Sequence, residues 1–425
     1  MRKPVVAVAG TFDTKGAEYA YLRSCLIEQG VDVLLIDVGV LGQGDVELVP
    51  DVPADEVARR GGRALAEIRF DREGSDTRSV ALDVMARGLA AVLGELVRDR
   101  RCDAAIGLGG SGGTSVISHA MRELPLGFPK VLVSTLASGN VGDIVGGRDI
   151  TLMYSVTDIA GLNRLSSRVL ANAAHAVAGM AKGAGAASAR SALHDRPLIA
   201  MSMFGITTRA VLGIRQRLEA QGFDIIVFHA TGSGGMAMER MIAEGEIDGV
   251  VDCTLAELCS EAFGGVFSAG PGRLTNAGLR GVPQVVVPGA IEVLNFGPRH
   301  TLPAHLDVPE RRLIVHNPHV CAVKASVDEL AHLGRTVADR LSQARGPTAV
   351  LLPLRGLDAY EAEGGPWHDR ESDAVLFRAI REGLRPDIPV LEVDAHINDD
   401  VFAEQCAETF MGLWRVARGQ QEAAT

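Results

Sequence analysis

Aromatic residues are scarce in this 425-residue chain, at 4%. With 47% hydrophobic residues, its cores must be built mainly of Val, Leu, Ile and Ala. Positive charge is also short. The net charge of −11 argues against a general nucleic-acid or anionic-membrane binder, because both need clustered cations. A local anion pocket stays open. No apolar run approaches a membrane span. The apolar start "PVVAVAG" is too short for a secretion signal and soon meets Asp13. A cytoplasmic protein is expected. The six cysteines form no CxxC pair, which removes zinc-site spacing and a disulfide framework and leaves buried, reduced thiols. There is no GK[ST] loop and no HExxH.

What the chain does have is glycine, 49 residues of it, and a repeated α/β pattern. "PVVAVAG" reads as a buried strand, "KGAEYAYLRSCLIEQG" as a helix and "VDVLLIDVG" as a second strand. A helix near 79–100 precedes the next strand, "KVLVST" is a further strand, and another helix runs from about Asn163 to Ala181. After the small, polar segment "GMAKGAGAASARSALHDRP" the pattern restarts with "PLIAMSMFGITTRAVLGIRQRLEAQGFDIIVFHATG". At an offset of 192, Gln29, Gly30 and Asp32 meet Gln221, Gly222 and Asp224. The expectation is an α/β protein of two Rossmann-like subdomains with mainly parallel sheets and flanking helices, related by internal duplication. The domains are 1–185 and 197–425, with a linker at 186–196. "GVVDCT", "PQVVVPG", "RLIVHN", "TAVLLPLRG" and "IPVLEVDAHI" supply the later strands of the second half.

The loop in "DAAIGLGGSGGTSVISHAM" carries the first chemical signal. Gly107, Gly109, Gly110, Gly112 and Gly113 leave backbone N–H groups bare. A helix starting near Thr114 adds its positive end, which makes an anion nest. Ser111, Thr114 and Ser115 offer hydroxyls. The loop formally reads G-x-G-x-x-G, but a dinucleotide fold carries that motif after its first strand and an acid at the end of the next. Here the following strand ends in "STLAS". A Gly-rich packing turn is the plain alternative. The first strand ends in "GTFDTKG". There Gly10 and Thr11 allow close ligand approach, Lys15 offers a point charge for phosphate, and Asp13 suits Mg²⁺ held jointly with phosphate oxygens. Asp37 ends the second strand, where an acid often meets ribose hydroxyls. Each has a bland reading: Asp13 as a helix cap, Lys15 as solvated, Asp37 as a turn residue. Two polar loops at strand ends of one domain favour a nucleotide.

The motifs "VAVAGTFDTKGAEYAYLR", "GLGGSGGTS", "VVDCTLAELCSEAFGGVFSAGPGRL", "GVPQVVVPGAIEVLNFG" and "HINDDVFAE" resemble the uncharacterised ATP-binding family typified by the tobamovirus-resistance protein of tomato. The resemblance spans nearly the whole chain. It implies two Rossmann-like subdomains, dimerisation and ATP bound in the first half. The implied contacts are Gly10, Thr11, Asp13, Thr14, Lys15, Gly109, Gly110, Ser111, Gly112, Gly113 and Thr114. The chain departs from that pattern at Lys324, where the family has arginine, and at Asp358, where it has serine. A lysine cannot reproduce a bidentate fork.

The second half adds polar residues just after apolar strands, among them Glu257, Glu261, Arg273, Glu292, His316, Arg355, His396 and Asn398. Glu257, Arg273, His316 and Arg355 are the candidates for catalysis, against the alternative of caps and surface contacts. If "TLAELCSE" is helical from Thr254, then Thr254, Glu257 and Glu261 share a face. The combined expectation is a Mg·ATP-binding protein that forms a homodimer or higher homo-oligomer. It acts as an ATP-dependent enzyme transferring a phosphoryl or nucleotidyl group to a small polar metabolite in a cleft of the second domain. The rival is a non-enzymatic, ATP-responsive interaction protein. A nicotinamide-dependent oxidoreductase is weakened by the absence of a Gly-rich loop after the first strand.

Overall fold

A computed structural model describes residues 2–42, 48–69, 75–139, 141–187 and 196–424. The chain divides into two compact units, Met1–Leu193 and His194–Thr425. Most of the expected linker, 188–195, lies outside the described residues, while 186 and 187 belong to a helix.

In the first unit the strands are β1 (Val5–Gly10), β2 (Asp32–Asp37), β3 (Ala104–Gly109), β4 (Lys130–Ser134) and β5 (Thr151–Tyr154). They form one parallel sheet in the order β2-β1-β3-β4-β5. The helices are α1 (Phe12–Glu28), α2 (Ala54–Arg60), α3 (Leu65–Ile68), α4 (Ser75–Arg98), α5 (Ser111–Arg122), α6 (Gly142–Val145) and α7 (Arg164–Ala187). Val6 and Val8 of β1 join Leu22 of α1 and Val177 of α7 in one core. Ala7 and Ala9 point the other way, to a core with Val57 of α2, Leu89 of α4 and Ile117 of α5. Both sheet faces are covered, so the strands read as unbroken apolar runs.

The second unit begins with β6 (Leu198–Met203), β7 (Asp224–His229), β8 (Gly249–Asp252) and β9 (Gln284–Val286). Then come β10 (Val293–Phe296), β11 (Leu313–Asn317) and β12 (Val320–Lys324), and last β13 (Thr348–Pro353) and β14 (Val390–Val393). Its helices are α8 (Thr208–Ala220), α9 (Ser233–Glu244), α10 (Ala256–Phe263), α11 (Asn276–Arg280), α12 (Val327–Leu341), α13 (Arg370–Gly383) and α14 (Asp400–Ala424). Six strands form a parallel sheet ordered β14-β13-β9-β8-β6-β7. "RLIVHN" departs from expectation. As β11 it lies in a separate antiparallel sheet, β10-β12-β11, because β12 follows it by a tight turn and pairs back on it.

Counted from its own first strand, each parallel sheet runs second, first, third, fourth, fifth, and the second unit adds a sixth. In this doubly wound order the direction reverses between the first and third strands, and ligands gather outside the carboxyl ends at that reversal. The reversal lies between β1 and β3 in the first unit, and between β6 and β8 in the second.

Candidate functional sites

In the first unit the reversal brings the two expected loops together. Thr11, Asp13, Thr14 and Lys15 after β1 and Gly110–Gly113 after β3 line one cavity of about 880 Å³. Val38, Val40 and Leu41 beyond β2 and Arg78, Ser79, Leu82 and Met85 of α4 complete it. The volume is within the range that holds a drug-sized ligand.

The glycine loop differs from expectation in where its helix starts. α5 begins at Ser111, so Gly112 and Gly113 are its first turn. Gly110 provides no side-chain cap, and Thr114 N–H is the first to bond back, to Gly110 O at 2.8 Å. The N–H groups ahead of it have no partner within the helix, and their residues line the cavity. Gly109 is glycine for packing, since a Cβ there would sit 2.8 Å from Gly113 Cα. The buried Thr114 hydroxyl bonds Ser134 Oγ at 2.7 Å and Gly109 O at 3.2 Å, joining helix to strands rather than facing the cavity.

The loop after β1 is a turn set ahead of the regular helix. Lys15 leaves helical geometry (φ −134°, ψ 30°), and its N–H closes on Thr11 O at 3.0 Å. The Lys15 ammonium donates to Ile159 O, which fixes it and leaves further donors free. Asp13 Oδ2 accepts from Leu41 N–H at 2.8 Å. Its Oδ1 is buried without a hydrogen-bond partner, an uncompensated state that favours a cation or donor from a ligand.

Two residues of this half have other duties than expected. Asp37 Oδ1 accepts from Phe12 N–H (3.2 Å) and Gly39 N–H (2.9 Å), tightening the turn after β2, and it does not line the cavity. Burial raises its carboxyl pKa, opposed by those two N–H groups. Gly10 is glycine because a Cβ would lie 1.7 Å from Cζ of Tyr19. The Tyr19 hydroxyl is within bonding distance of Ala9 O (2.9 Å) and Leu108 O (2.7 Å) and accepts from Leu108 N–H (3.1 Å), bridging β1 and β3. Sequence reasoning missed Arg78 and Ser79. Their signal was slight: a basic and a hydroxyl residue at the start of a long amphipathic helix.

In the second unit Glu257 and Arg273 are wholly buried and bonded to each other, Nε to Oε2, at 2.7 Å. Arg273 also forks onto Asp252 (2.5 and 2.7 Å) and approaches Glu239 at 3.5 Å. Burial works against its charge, but Asp252, Glu257 and Glu239 together hold its pKa well above the ordinary value. Glu257 Oε1 accepts from Gly232 N–H (2.7 Å) and Gly235 N–H (3.0 Å). The glycine loop before α9 is thus an anion nest filled by the protein's own carboxylate. Shielded from solvent, Glu257 and Arg273 are not placed to touch a substrate, which corrects the expectation of catalysis there. α10 starts at Ala256, not Thr254, and turns Glu257 inward.

His316 sits exposed on β11, 3.3 Å from the Tyr360 hydroxyl. Arg355 is also exposed and clamps Asp394 through two bonds (2.8 and 2.7 Å). Of the four catalytic candidates only Arg355 lines the large cavity of this unit, about 810 Å³, formed by the segments after β6, β13 and β14.

Beneath that cavity lies a buried acid cluster holding the two departures from the expected pattern. Lys324 Nζ pairs with Glu361 Oε1 (2.5 Å) and donates to Trp367 O (2.6 Å). Asp358 caps the turn at Tyr360 (2.7 Å). Burial, with Glu361 nearby, pushes the Asp358 carboxyl up to about 7 and that of Asp373 up to about 8. Glu292 rises well above its ordinary value through burial and the neighbouring Asp358. Lys324 and Asp358 are internal and line neither of the two cavities described. Among the described residues no group of three His, Cys, Asp or Glu is arranged to hold a metal, and no helix is long and apolar enough to cross a membrane.

Two doubly wound α/β units, one with an open nest at its strand reversal and one with a filled nest, define the class. The chain belongs to the uncharacterised protein family UPF0261, whose N-terminal domain matches residues 4–186 and whose C-terminal domain matches 196–414. A UPF0261 protein of Clostridium tetani is 41% identical over 414 residues, covering 97% of this chain and 99% of the relative. One of Rhizobium meliloti is 40% identical, covering 96% and 98%. The ToMV resistance protein Tm-1(GCR237) of Solanum lycopersicum is 33% identical over 430 residues, covering 96% of this chain but 56% of the plant protein. Among solved structures, a UDP-N-acetylglucosamine 2-epimerase from Rickettsia bellii overlaps at a TM-score of 0.22 and 9% identity, covering 67% of this chain and 79% of that one. That overlap carries no functional argument.

Proposed function

We propose that the first unit binds Mg·ATP and that the protein uses it to transfer a phosphoryl or nucleotidyl group to a small polar metabolite held in the second unit's cleft. The supporting observation is the cavity at the β1–β3 reversal, where the uncapped start of α5 meets Asp13 with its orphaned Oδ1. The N–H groups of Ser111, Gly112 and Gly113 would receive phosphate oxygens. Lys15 and Arg78 would neutralise their charge, Arg78 with a fork suited to phosphate. Asp13 fits one protein carboxylate for Mg²⁺, a cation that keeps waters and phosphate oxygens as its other ligands. When bound, the ion would offset charge on the phosphoryl oxygens. Leu82, Met85, Val38 and Val40 would shelter an apolar base.

The test is calorimetric titration with ATP, with and without Mg²⁺, beside NAD, on wild type, Lys15→Ala and Arg78→Ala. Saturable binding of ATP is expected, weakened roughly tenfold in each variant, about 1.4 kcal/mol, with no comparable response to NAD. Folded wild type that binds no ATP refutes the proposal.

One observation favours a second reading. The cavity lining holds one carboxylate, Asp13, and no histidine, so it is better furnished for holding phosphate than for moving protons. On that reading ATP sets the geometry of an interaction surface. ATP binding without consumption, in the presence of any metabolite found to bind, would select it.

A further inference from the structure

The cavity of the second unit has its own charge logic. Most of its polar lining is already engaged. Asn398 Nδ2 donates to Ile206 O (2.9 Å) and its Oδ1 accepts from Ala210 N–H (3.1 Å), tying the start of α8 to the loop before α14. His396 is engaged at both ring nitrogens: Nδ1 accepts from Asn398 N–H (3.1 Å) and Nε2 lies 2.8 Å from Asp358 O. Gly356, at φ +129°, leaves room for that ring, since a Cβ would meet His396 Cδ2 at 2.8 Å. Arg355 is neutralised by Asp394.

Asp399 Oδ2 accepts from His396 N–H (2.9 Å), which leaves two lining charges that are neither hydrogen-bonded nor ion-paired among the described residues. Arg209, in the first turn of α8, and Glu363, after β13, both face the cavity. Among the described residues neither has an ion-pair partner, and they do not pair with each other. An unpaired cation and an unpaired anion thus line one recess. Ile206, Leu212, Ala359 and Ala362 supply apolar wall.

We propose that this cavity binds a zwitterion of amino-acid type, its carboxylate on Arg209, its ammonium on Glu363 and its apolar body against Ile206, Leu212, Ala359 and Ala362. The start of α8 adds positive potential on the carboxylate side. A dianion would meet Glu363 and Asp399, and a neutral polyol would leave both charges unmatched. The inference specifies the metabolite class of the proposed function, but it stands or falls apart from ATP.

The test titrates the full-length protein with the common L-amino acids one at a time. For any that binds, the des-amino carboxylic acid and the decarboxylated amine are titrated too. Saturable binding of at least one amino acid is expected, with each single-charge analogue at least tenfold weaker. Arg209→Ala should weaken the amino acid at least tenfold and leave the amine unchanged. Glu363→Gln should do the same for the ammonium and leave the acid unchanged. ATP is titrated into the same variants, and its unchanged affinity separates a failure here from a failure at the first unit. The inference is overturned if no amino acid binds to folded wild type, or if both variants bind it as wild type does.

Discussion

Gly10→Ala isolates the reason for a glycine at the end of β1. A methyl group there would lie 1.7 Å from Cζ and 2.0 Å from Oη of Tyr19, a clash that only movement of a buried ring can relieve. The ring cannot move freely, because its hydroxyl is bonded to both β1 and β3. Overpacking costs about 1–3 kcal/mol, and each disrupted hydrogen bond about 0.5–1.5 kcal/mol. The backbone at Gly10 is not left-handed, so alanine regains about 0.4–1 kcal/mol through the unfolded chain. The net cost is about 2–3 kcal/mol. With a urea slope of about 1–3 kcal/mol/M, the midpoint of the first unit falls by roughly 1 M. Both tryptophans, Trp367 and Trp414, lie in the second unit, so the molecule carries its own control. Far-ultraviolet dichroism should show the earlier transition while the indole fluorescence transition stays in place. In a Tyr19→Leu background the same substitution should cost under about 0.5 kcal/mol, a coupling expected of residues in contact. If the cost of Gly10→Ala is the same in both backgrounds, the ring is not the reason for the glycine, and close approach of a ligand becomes the better account.

Other outcomes follow from the second unit. Native Asp358 and Asp373 keep their protons up to about pH 7 and 8, whereas unfolded aspartates lose theirs near about 3.9. Between those limits the native state binds more protons, so stability falls as pH rises, by about 1.4 kcal/mol per pH unit for each excess proton. The contribution of these two aspartates levels off above about pH 8. Denaturation followed by indole fluorescence from pH 5 to 9 should show this slope, reduced in Asp373→Asn; a flat profile in wild type would contradict it. Glu257→Gln keeps the shape but removes the charge facing buried Arg273, and breaking such a pair costs about 3–5 kcal/mol. It should lower the fluorescence-detected transition strongly and spare ATP binding. A variant as stable as wild type would show that Asp252 and Glu239 suffice for Arg273.

The parallel sheets were legible because strands buried on both faces are continuous apolar runs ending in polar residues. β11 was not. "RLIVHN" has that same composition, and only the presence of β12 as a hairpin partner turns it antiparallel. The cavity loops Thr11–Lys15 and Gly110–Gly113 were legible because an anion nest requires bare N–H groups at a helix start. Arg78 was hidden, because α4 reaches the cavity through packing against α5 and not through any local motif. Glu257 and Arg273 were identified as an unusual acid and base, but residue type does not tell whether a charge faces a substrate or its own counter-charge. Their separation in sequence, with Asp252 and Glu239 around them, holds no spacing rule that predicts a closed network.

The carboxylate seated at α9 also bears on stoichiometry. A side chain tethered beside a nest competes at an effective concentration of millimolar or more, and Glu257 is further held by Arg273. Free phosphate or a nucleotide would have to displace a charge that has nowhere else to go. Although the chain carries two glycine-rich loops ahead of helices, a titration with nucleotide should therefore end at one equivalent per chain. The second loop works as an internal fastener, joining α9 to α10 where its counterpart would hold a ligand.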